Sequence, residues 1–264
     1  MRPIAELGAD TRRSAQGFFC DIDDTLTTDG RLTAEAYAAM ERLQAAKLLV
    51  IPVTGRPAGW CDHIARMWPV DAVVGENGAF YFRYDRKQRR MQRRFVDSDA
   101  TRAQHRQRLD AVAAEILRSV PGAALAADQR YRETDLAVDF CEDVPRLALG
   151  EIERIAAIMR EHGLTAKVSS IHVNGWFGAY DKLTMTRRLM RESYGVDLDS
   201  DRGRYVFIGD SPNDAPMFEY FPHAVGVANV REFGARVEHM PAYVTVASCG
   251  AGFREAADCI LAAR

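Results

Sequence analysis

Long apolar runs are absent from this 264-residue sequence, although 47% of its residues are hydrophobic. No run approaches the ~18 consecutive apolar residues of a transmembrane helix. The N-terminal segment 1–16 also lacks the apolar centre of a signal peptide. We therefore expect a soluble, cytoplasmic protein with no membrane partner.

Net charge and cysteine are equally scarce. The 35 Lys and Arg residues nearly balance the 37 Asp and Glu residues, which leaves a formal net charge of −2. Nucleic-acid binding usually requires a basic excess, so we expect no nucleic-acid partner. The five cysteines are scattered without CxxC spacing, which argues against a disulfide framework or a zinc site. The composition does not determine an oligomeric state.

Three short apolar segments each end in a cluster of polar residues. The segments are residues 17–20, 48–53 and 205–208, and the clusters that follow them are residues 21–25, 54–56 and 209–214. Short apolar segments separated by helical stretches are typical of buried parallel strands with crossover helices. Ligands of open α/β sheets bind beyond the carboxyl ends of the strands. We predict a doubly wound, Rossmann-like α/β core with a parallel sheet, in which the three clusters form one site.

The middle of the chain has a different pattern. Two amphipathic helical stretches, residues 102–119 and 145–162, lie among hairpin-like segments. The dipeptide Asn174-Gly175 is a common hairpin-turn signal. We predict an inserted α+β cap domain over residues 83–177, and a catalytic core formed by residues 1–82 and 178–264.

Two acidic clusters suggest chemistry at the strand ends. Asp21 and Asp23 follow a predicted buried strand, where one carboxylate can act as a nucleophile and the other as a proton donor and acceptor. A solvated Asp-rich turn is the alternative. Asp210 and Asp214 follow a separate strand and offer the oxygen ligands that Mg²⁺ prefers. Because two converging acidic clusters repel each other, we predict a divalent cation between them.

Two further residues suit the binding of a phosphoryl group. Thr54 offers a hydroxyl and a backbone amide at a strand end, and Lys182 offers a positive charge at the start of a predicted helix. Taken singly, a strand-end Thr is usually structural and a lone Lys is usually solvated. The prediction therefore depends on the ordered set rather than on either residue.

That ordered set resembles the four motifs of the haloacid dehalogenase superfamily of phosphatases. The matching motifs are Asp21-x-Asp23-x-Thr25, Thr54-Gly-Arg56, Lys182 and Gly209-Asp210-x-x-Asn213-Asp214. The resemblance implies an aspartyl-phosphate on Asp21, with Asp23 as the general acid and base. It implies Mg²⁺ as the cofactor, held by Asp21, Asp23 (through its carbonyl), Asp210 and Asp214. The predicted catalytic residues are Asp21, Asp23, Thr54 and Lys182, and the predicted substrate-binding residues in the core are Thr54, Gly55, Arg56, Asn77, Lys182 and Asn213.

The spacing of the motifs resembles one subgroup of that superfamily. Residues 26–53 are too few for a folded cap, whereas residues 55–181 are enough for an inserted domain. This arrangement is similar to the C2-capped subclass IIB, which includes sugar phosphatases, sucrose- and trehalose-phosphate phosphatases, mannosyl-3-phosphoglycerate phosphatase and phosphomannomutase. The segments 75–79 and 225–229 also resemble that subclass. The implied substrate is a small phosphorylated metabolite, with a sugar phosphate favoured.

Substrate specificity is expected to come from the cap. In the segment 169–174, strand alternation places Ser170, His172 and Asn174 on one face, which suits hydrogen bonding to sugar hydroxyls. A polar face exposed to solvent is the alternative, since antiparallel sheets commonly have one.

Two other functions remain open at this point. A phosphomannomutase-like phosphomutase would use the same covalent intermediate and return the phosphoryl group to a sugar. A catalytically silent metal-binding regulatory module belongs to another class of protein. The presence of both Asp21 and Asp23 argues against the silent module.

Overall fold

The computed structural model describes residues 1–264, with fifteen strands and nine α-helices. The strands are β1 (Arg2–Pro3), β2 (Gly17–Cys20), β3 (Thr27–Thr28), β4 (Arg31–Leu32), β5 (Leu49–Pro52), β6 (Val73–Gly75), β7 (Phe80–Asp85), β8 (Arg90–Phe95), β9 (Ala124–Leu125), β10 (Asp135–Asp139), β11 (Thr165–Val168), β12 (His172–Trp176), β13 (Tyr205–Gly209), β14 (Val225–Gly226) and β15 (Tyr243–Val244). The helices are α1 (Ala9–Ser14), α2 (Ala34–Ala45), α3 (Ala58–Met67), α4 (Asp99–Ser119), α5 (Leu149–Glu161), α6 (Lys182–Leu189), α7 (Leu198–Asp201), α8 (Ala215–Tyr220) and α9 (Cys249–Leu261). None of the helices has both the length and the hydropathy required to cross a membrane.

The central sheet is parallel throughout. Its strand order is β1-β15-β14-β13-β2-β5, so β2 lies between β5 and β13 and the chain winds outward to both sides. Alternate side chains along β2 enter two different hydrophobic clusters: Phe18 and Cys20 enter one, and Phe19 enters the other. This alternation follows from the two-residue period of a strand that is covered on both faces. The predicted doubly wound α/β core is confirmed.

A second, antiparallel sheet lies above the carboxyl ends of the central sheet. Its order is β11-β12-β10-β9, and helices α4 and α5 cover one face through an apolar cluster that extends from Leu109 to Phe177. The other face is polar and is turned toward the core, since β11 contacts the core segment Pro212–Asp214. The β7–β8 hairpin packs instead with the core, where Phe80 and Phe82 are buried. The division of the chain at residues 83 and 177 stays a prediction.

The hairpin turn that we predicted at Asn174-Gly175 is wrong. Both residues lie inside β12, and the chain reverses earlier, between Val168 and His172. Gly175 faces helix α5, where a Cβ atom would lie 2.6 Å from the sulfur of Met159. The glycine therefore permits close packing of helix and sheet, and its presence does not signal a turn.

Candidate active site

The ends of three neighbouring strands place the acidic and hydroxyl side chains of the site. Asp21 directly follows β2, Asp210 directly follows β13, and Thr54 lies just beyond β5. The backbone amide of Asp21 donates to the carbonyl of Ile208 at 2.9 Å, and that of Val53 donates to Cys20 at 2.7 Å. These bonds continue the sheet ladders past the strands. The carboxyl ends of the three strands consequently meet at one edge, where such sheets bind ligands.

Lys182 enters this edge from the first turn of α6. The helix begins there because Asp181 caps it, accepting a hydrogen bond from the amide of Thr184 at 2.7 Å. The Lys182 ammonium lies 3.0 Å from Oδ1 of Asp21 and 2.7 Å from Oδ1 of Asp214. All three side chains are buried. One cation thus joins two predicted motifs that are far apart in the sequence.

Asp214 accepts three hydrogen bonds from the protein. Its Oδ2 accepts hydrogen bonds from the backbone amides of Asp210 and Ser211, at 3.1 and 3.3 Å, while its Oδ1 binds Lys182. Asp214 therefore holds Lys182 and the Asp210 loop in place.

The carboxylates of Asp21, Asp210 and Asp214 form a buried triad that could hold a metal ion. Each offers an oxygen, and these oxygens all lie within 4.8 Å of one another. Burial, together with neighbouring carboxylates, raises the pKa of Asp21 to about 7 although Lys182 opposes the rise. Burial and the charge of Asp21 also raise the pKa of Asp210 well above its usual value. Three carboxylates against one ammonium leave excess negative charge, and oxygen donors of this type fit Mg²⁺.

Two residues outside the predicted site set orient Asp210. The Thr25 hydroxyl donates to Oδ1 of Asp210 at 3.1 Å, and the Asn229 side-chain amide donates to Oδ2 at 3.3 Å. Asn229 also donates to the carbonyl of Asp24 at 3.0 Å, which connects the two acidic loops. Thr25 belongs to the first motif and Asn229 to the segment 225–229, so the resemblance was the signal that could have identified both.

Asp23 is held by Arg56. The Nε of Arg56 lies 3.0 Å from each carboxylate oxygen of Asp23, and Nη2 lies 2.8 Å from Oδ1. The same guanidinium lies 2.6 Å from Glu142 and 3.3 Å from Asp128. Burial alone would lower the pKa of Arg56, but Asp23 and Glu142 raise it. A substrate contact of Arg56 would require one of these carboxylates to move, and that contact stays a prediction.

Arg132 and Glu76 extend this junction between the core and the second sheet. Arg132 binds Asp128 at 3.0 Å and donates to the carbonyl of Gly55 at 2.8 Å. Glu76 is buried and accepts hydrogen bonds from the amides of Ala58, Glu133 and Thr134 at 2.9, 2.9 and 2.7 Å. Sequence reasoning missed Glu142, Asp128, Arg132 and Glu76 as junction residues, because no local pattern identifies partners that are so distant in the chain.

Asn77 lies beside Thr54 because of an unusual turn. Glu76, Asn77 and Gly78 have φ values of 42°, 54° and 104°, which is left-handed backbone in three consecutive residues. The turn lets the Asn77 amide donate to the carbonyl of Thr54 at 3.0 Å, while its side-chain oxygen accepts from Asn213 at 3.4 Å. A Cβ atom on Gly55 would lie 3.1 Å from the Asn77 side-chain nitrogen. These predicted substrate-binding residues of the core are therefore neighbours.

The three predicted residues of the second sheet are distributed differently. His172 and Asn174 are in β12, whereas Ser170 is in the preceding turn, beside Asp24 of the core. The Nε2 of His172 closely approaches Glu142, at 2.8 Å, without the alignment of a good hydrogen bond. The side-chain amide of Asn174 donates to Asp135 at 3.0 Å. Contacts of these residues with a substrate stay a prediction.

Comparison with known proteins supplies relatives for this arrangement. A family model described as haloacid dehalogenase-like hydrolase matches residues 18–108. Phosphoglycolate phosphatase of Methanosarcina acetivorans is 27% identical over 243 residues, covering 90% of this chain and 93% of that protein. Phosphoglycolate phosphatase of Haloarcula marismortui is 29% identical over 237 residues, covering 89% and 93%. A solved sugar phosphatase of haloacid dehalogenase subclass IIB shares the fold, with a TM-score of 0.63 at 14% identity over 95% of this chain and 100% of that chain.

Proposed function

We propose that this chain, which belongs to the haloacid dehalogenase superfamily and is a phosphatase, hydrolyses a small phosphorylated metabolite through an aspartyl-phosphate on Asp21. One observation carries the proposal. Lys182 holds Oδ1 of Asp21 at 3.0 Å, whereas the other carboxylate oxygen has no hydrogen bond to the protein. A buried carboxylate with one oxygen fixed and one free is arranged to attack phosphorus.

In the first half of the reaction, the free oxygen of Asp21 forms a bond to phosphorus while the bond to the leaving oxygen breaks. Asp23 gives its proton to that oxygen, which leaves as an alcohol. Lys182 and Thr54 bind the phosphoryl oxygens, where negative charge accumulates. In the second half, Asp23 takes a proton from a water molecule that attacks phosphorus. The bond from phosphorus to Asp21 then breaks, inorganic phosphate is released, and both aspartates return to their starting state.

The proposed function includes Mg²⁺. Asp21, Asp210 and the carbonyl of Asp23 would hold it, with Asp214 positioning Lys182 beside them. When bound, the cation supplies positive charge that offsets both the carboxylates and the phosphoryl group. The excess negative charge of the buried triad supports this assignment.

The side chain of Asp23 must separate from the guanidinium of Arg56 before it can carry a proton, because a bound guanidinium favours the ionised carboxylate. Glu142 and Asp128 provide Arg56 with other partners at 2.6 and 3.3 Å. We propose that these two carboxylates retain Arg56 while Asp23 turns toward the leaving oxygen.

Two lines of support bear on the leaving group. The shared fold with a subclass IIB sugar phosphatase and the polar face that carries His172 and Asn174 support the predicted sugar phosphate. The two phosphoglycolate phosphatases support a small phosphorylated acid.

The covalent intermediate is tested by acid quench during turnover of a ³²P-labelled ester with Mg²⁺. We expect a protein-bound label that hydroxylamine removes, and its absence in Asp21→Asn and in enzyme treated with EDTA. Asp29→Asn is the matched control, because Asp29 is exposed on the neighbouring turn and its φ of 49° suits asparagine. Normal turnover by Asp21→Asn would rule out Asp21 as the nucleophile. Formation of an isomeric sugar phosphate in place of free phosphate would indicate a phosphomutase.

A further inference from the structure

A small cavity lies between the polar sheet face and the core motifs. It has a volume of about 150 Å³, and the residues that line it include Asn77, Lys182 and Asn213 from the core and Thr165, Lys167 and Trp176 from the second sheet. Since Lys182 binds the nucleophile, the cavity adjoins the proposed phosphoryl site. Pockets for drug-sized ligands start at roughly 300 Å³. The cavity therefore suits a leaving group of a few carbon atoms.

Lys167 projects from the polar face of the second sheet. It pairs across β11 and β12 with Asn174, whereas its neighbours Ala166 and Val168 pack on the opposite, apolar side. The lysines of the chain are Lys47, Lys87, Lys167 and Lys182. Lys182 is ion-paired, and Lys47 and Lys87 are exposed away from this cavity. Lys167 is half-buried without any carboxylate oxygen within 4.0 Å of its ammonium.

A second donor in the same cavity also lacks a partner. Asn77 is 2% exposed, and its side-chain nitrogen makes no hydrogen bond. Its side-chain oxygen is already used by Asn213. The one carboxylate in the lining, that of Asp181, accepts the amide of Thr184 as a helix cap. Burying a hydrogen-bond donor without a partner costs free energy, so we expect this side of the cavity to bind a hydrogen-bond acceptor. The unpaired ammonium of Lys167 favours an acceptor that carries negative charge.

We propose that Lys167, together with Asn77, binds a carboxylate on the leaving group, so that the preferred substrates are phosphate esters of small hydroxy acids. This inference rests on the proposed function and chooses among its possible leaving groups. It makes Lys167 a specificity-determining residue outside the chemical step. A neutral sugar phosphate would leave the ammonium of Lys167 without a counter-charge beside the bound substrate.

The test uses substrates matched in size that differ in one carboxylate: 2-phosphoglycolate against 2-hydroxyethyl phosphate, and 3-phosphoglycerate against glycerol 3-phosphate. Lys167→Met keeps the apolar stem and removes the charge. We expect kcat/KM for the acids to fall about 10- to 100-fold, the range of a charge-assisted hydrogen bond, and to change less than about threefold for the neutral esters. Lys87→Met, on an exposed turn, is the control and should match the wild type. Lys167→Arg should retain part of the preference for acids.

Failure of the Lys167 proposal and failure of the proposed phosphatase function would give different results. An equal loss of activity on acidic and neutral esters would mean that Lys167 binds the phosphoryl group, which overturns the inference and leaves the phosphatase intact. Wild-type enzyme that does not prefer the acids would overturn it as well. Failure of the wild type to hydrolyse any ester, with no phosphoenzyme after acid quench, would contradict the proposed function itself. An unchanged Tm for Lys167→Met would show that the variant is folded.

Discussion

Two regions of the molecule are rich in buried charged side chains: the sheet edge formed by the carboxyl ends of the central strands, and the junction around Arg56 between the core and the second sheet. The charges are paired differently in the two regions. At the junction, the carboxylates of Asp23 and Glu142 share the guanidinium of Arg56. At the sheet edge, Asp21 retains an oxygen without a protein partner, and Lys182 pairs with Asp21 and Asp214 while Asp210 lies close to both carboxylates. At the junction the charged side chains pair mainly with one another, whereas the carboxylates at the sheet edge leave excess negative charge, which supports the proposed Mg²⁺ site.

The two regions also obtain their geometry from different sources. Asp21 and Asp210 follow the adjacent parallel strands β2 and β13, and the ladder between these strands continues through the backbone amide of Asp21. Glu142 meets Arg56 only because the second sheet docks on the core. The acidic cluster is therefore built on the ends of adjacent strands, whereas the junction exists only where the second sheet packs on the core.

The largest expected effect is at the sheet edge, in Lys182→Met. Loss of the one ammonium in the carboxylate cluster should lower kcat/KM by at least about 10²–10³-fold, because charge that accumulates on the phosphoryl group loses its partner. Steady-state kinetics at saturating Mg²⁺ provide the measurement, with Lys87→Met as the surface control. Activity within about threefold of the wild type would mean that Lys182 is structural.

An intermediate effect is expected at the junction, in Arg56→Met. Asp23, Asp128 and Glu142 would lose their shared cation, and we expect the free energy of unfolding to fall by about 1–3 kcal/mol. Hydrogen exchange in residues 128–142 should accelerate as the second sheet loosens. In the matched variant Arg66→Met, which breaks a 2.7 Å ion pair at the surface, the loss should be clearly smaller than in Arg56→Met, because solvent screens an exposed pair. Equal losses in the two variants would show that the junction adds no special stability.

The smallest effect concerns pH. Burial alone would raise the pKa of Glu142, but His172 and Arg56 lower it to about 2. An unfolded glutamate titrates near 4.3, so the stabilisation by Glu142 is present above that pH and is lost as the pH falls toward 2.

Urea unfolding between pH 6 and 3 measures this contribution. We expect a shallower loss of stability on acidification in Glu142→Gln than in the wild type. The control Glu161→Gln, at an exposed helix end, should follow the wild-type curve. Identical slopes in all three proteins would disprove the role of Glu142 in the junction.

The sequence alone was sufficient to predict the doubly wound core. Apolar strands followed by polar clusters are local patterns, and parallel strands place their carboxyl ends at one edge without further information. The convergence of the elements that carry Asp21, Thr54 and Asp210 follows from that rule. The roles predicted for the site residues stay predictions.

Only the tertiary structure decided how the second sheet meets the core. Two partners of Arg56, Asp128 and Glu142, lie 72 and 86 residues away in the chain, and no periodicity encodes which carboxylates will reach it. The same limit explains the misplaced turn: Asn-Gly favours a hairpin locally, but close packing of Gly175 against α5 keeps the dipeptide in β12. Local sequence specifies strands and their ends, whereas docking depends on summed contacts between distant surfaces, which only the folded chain brings together.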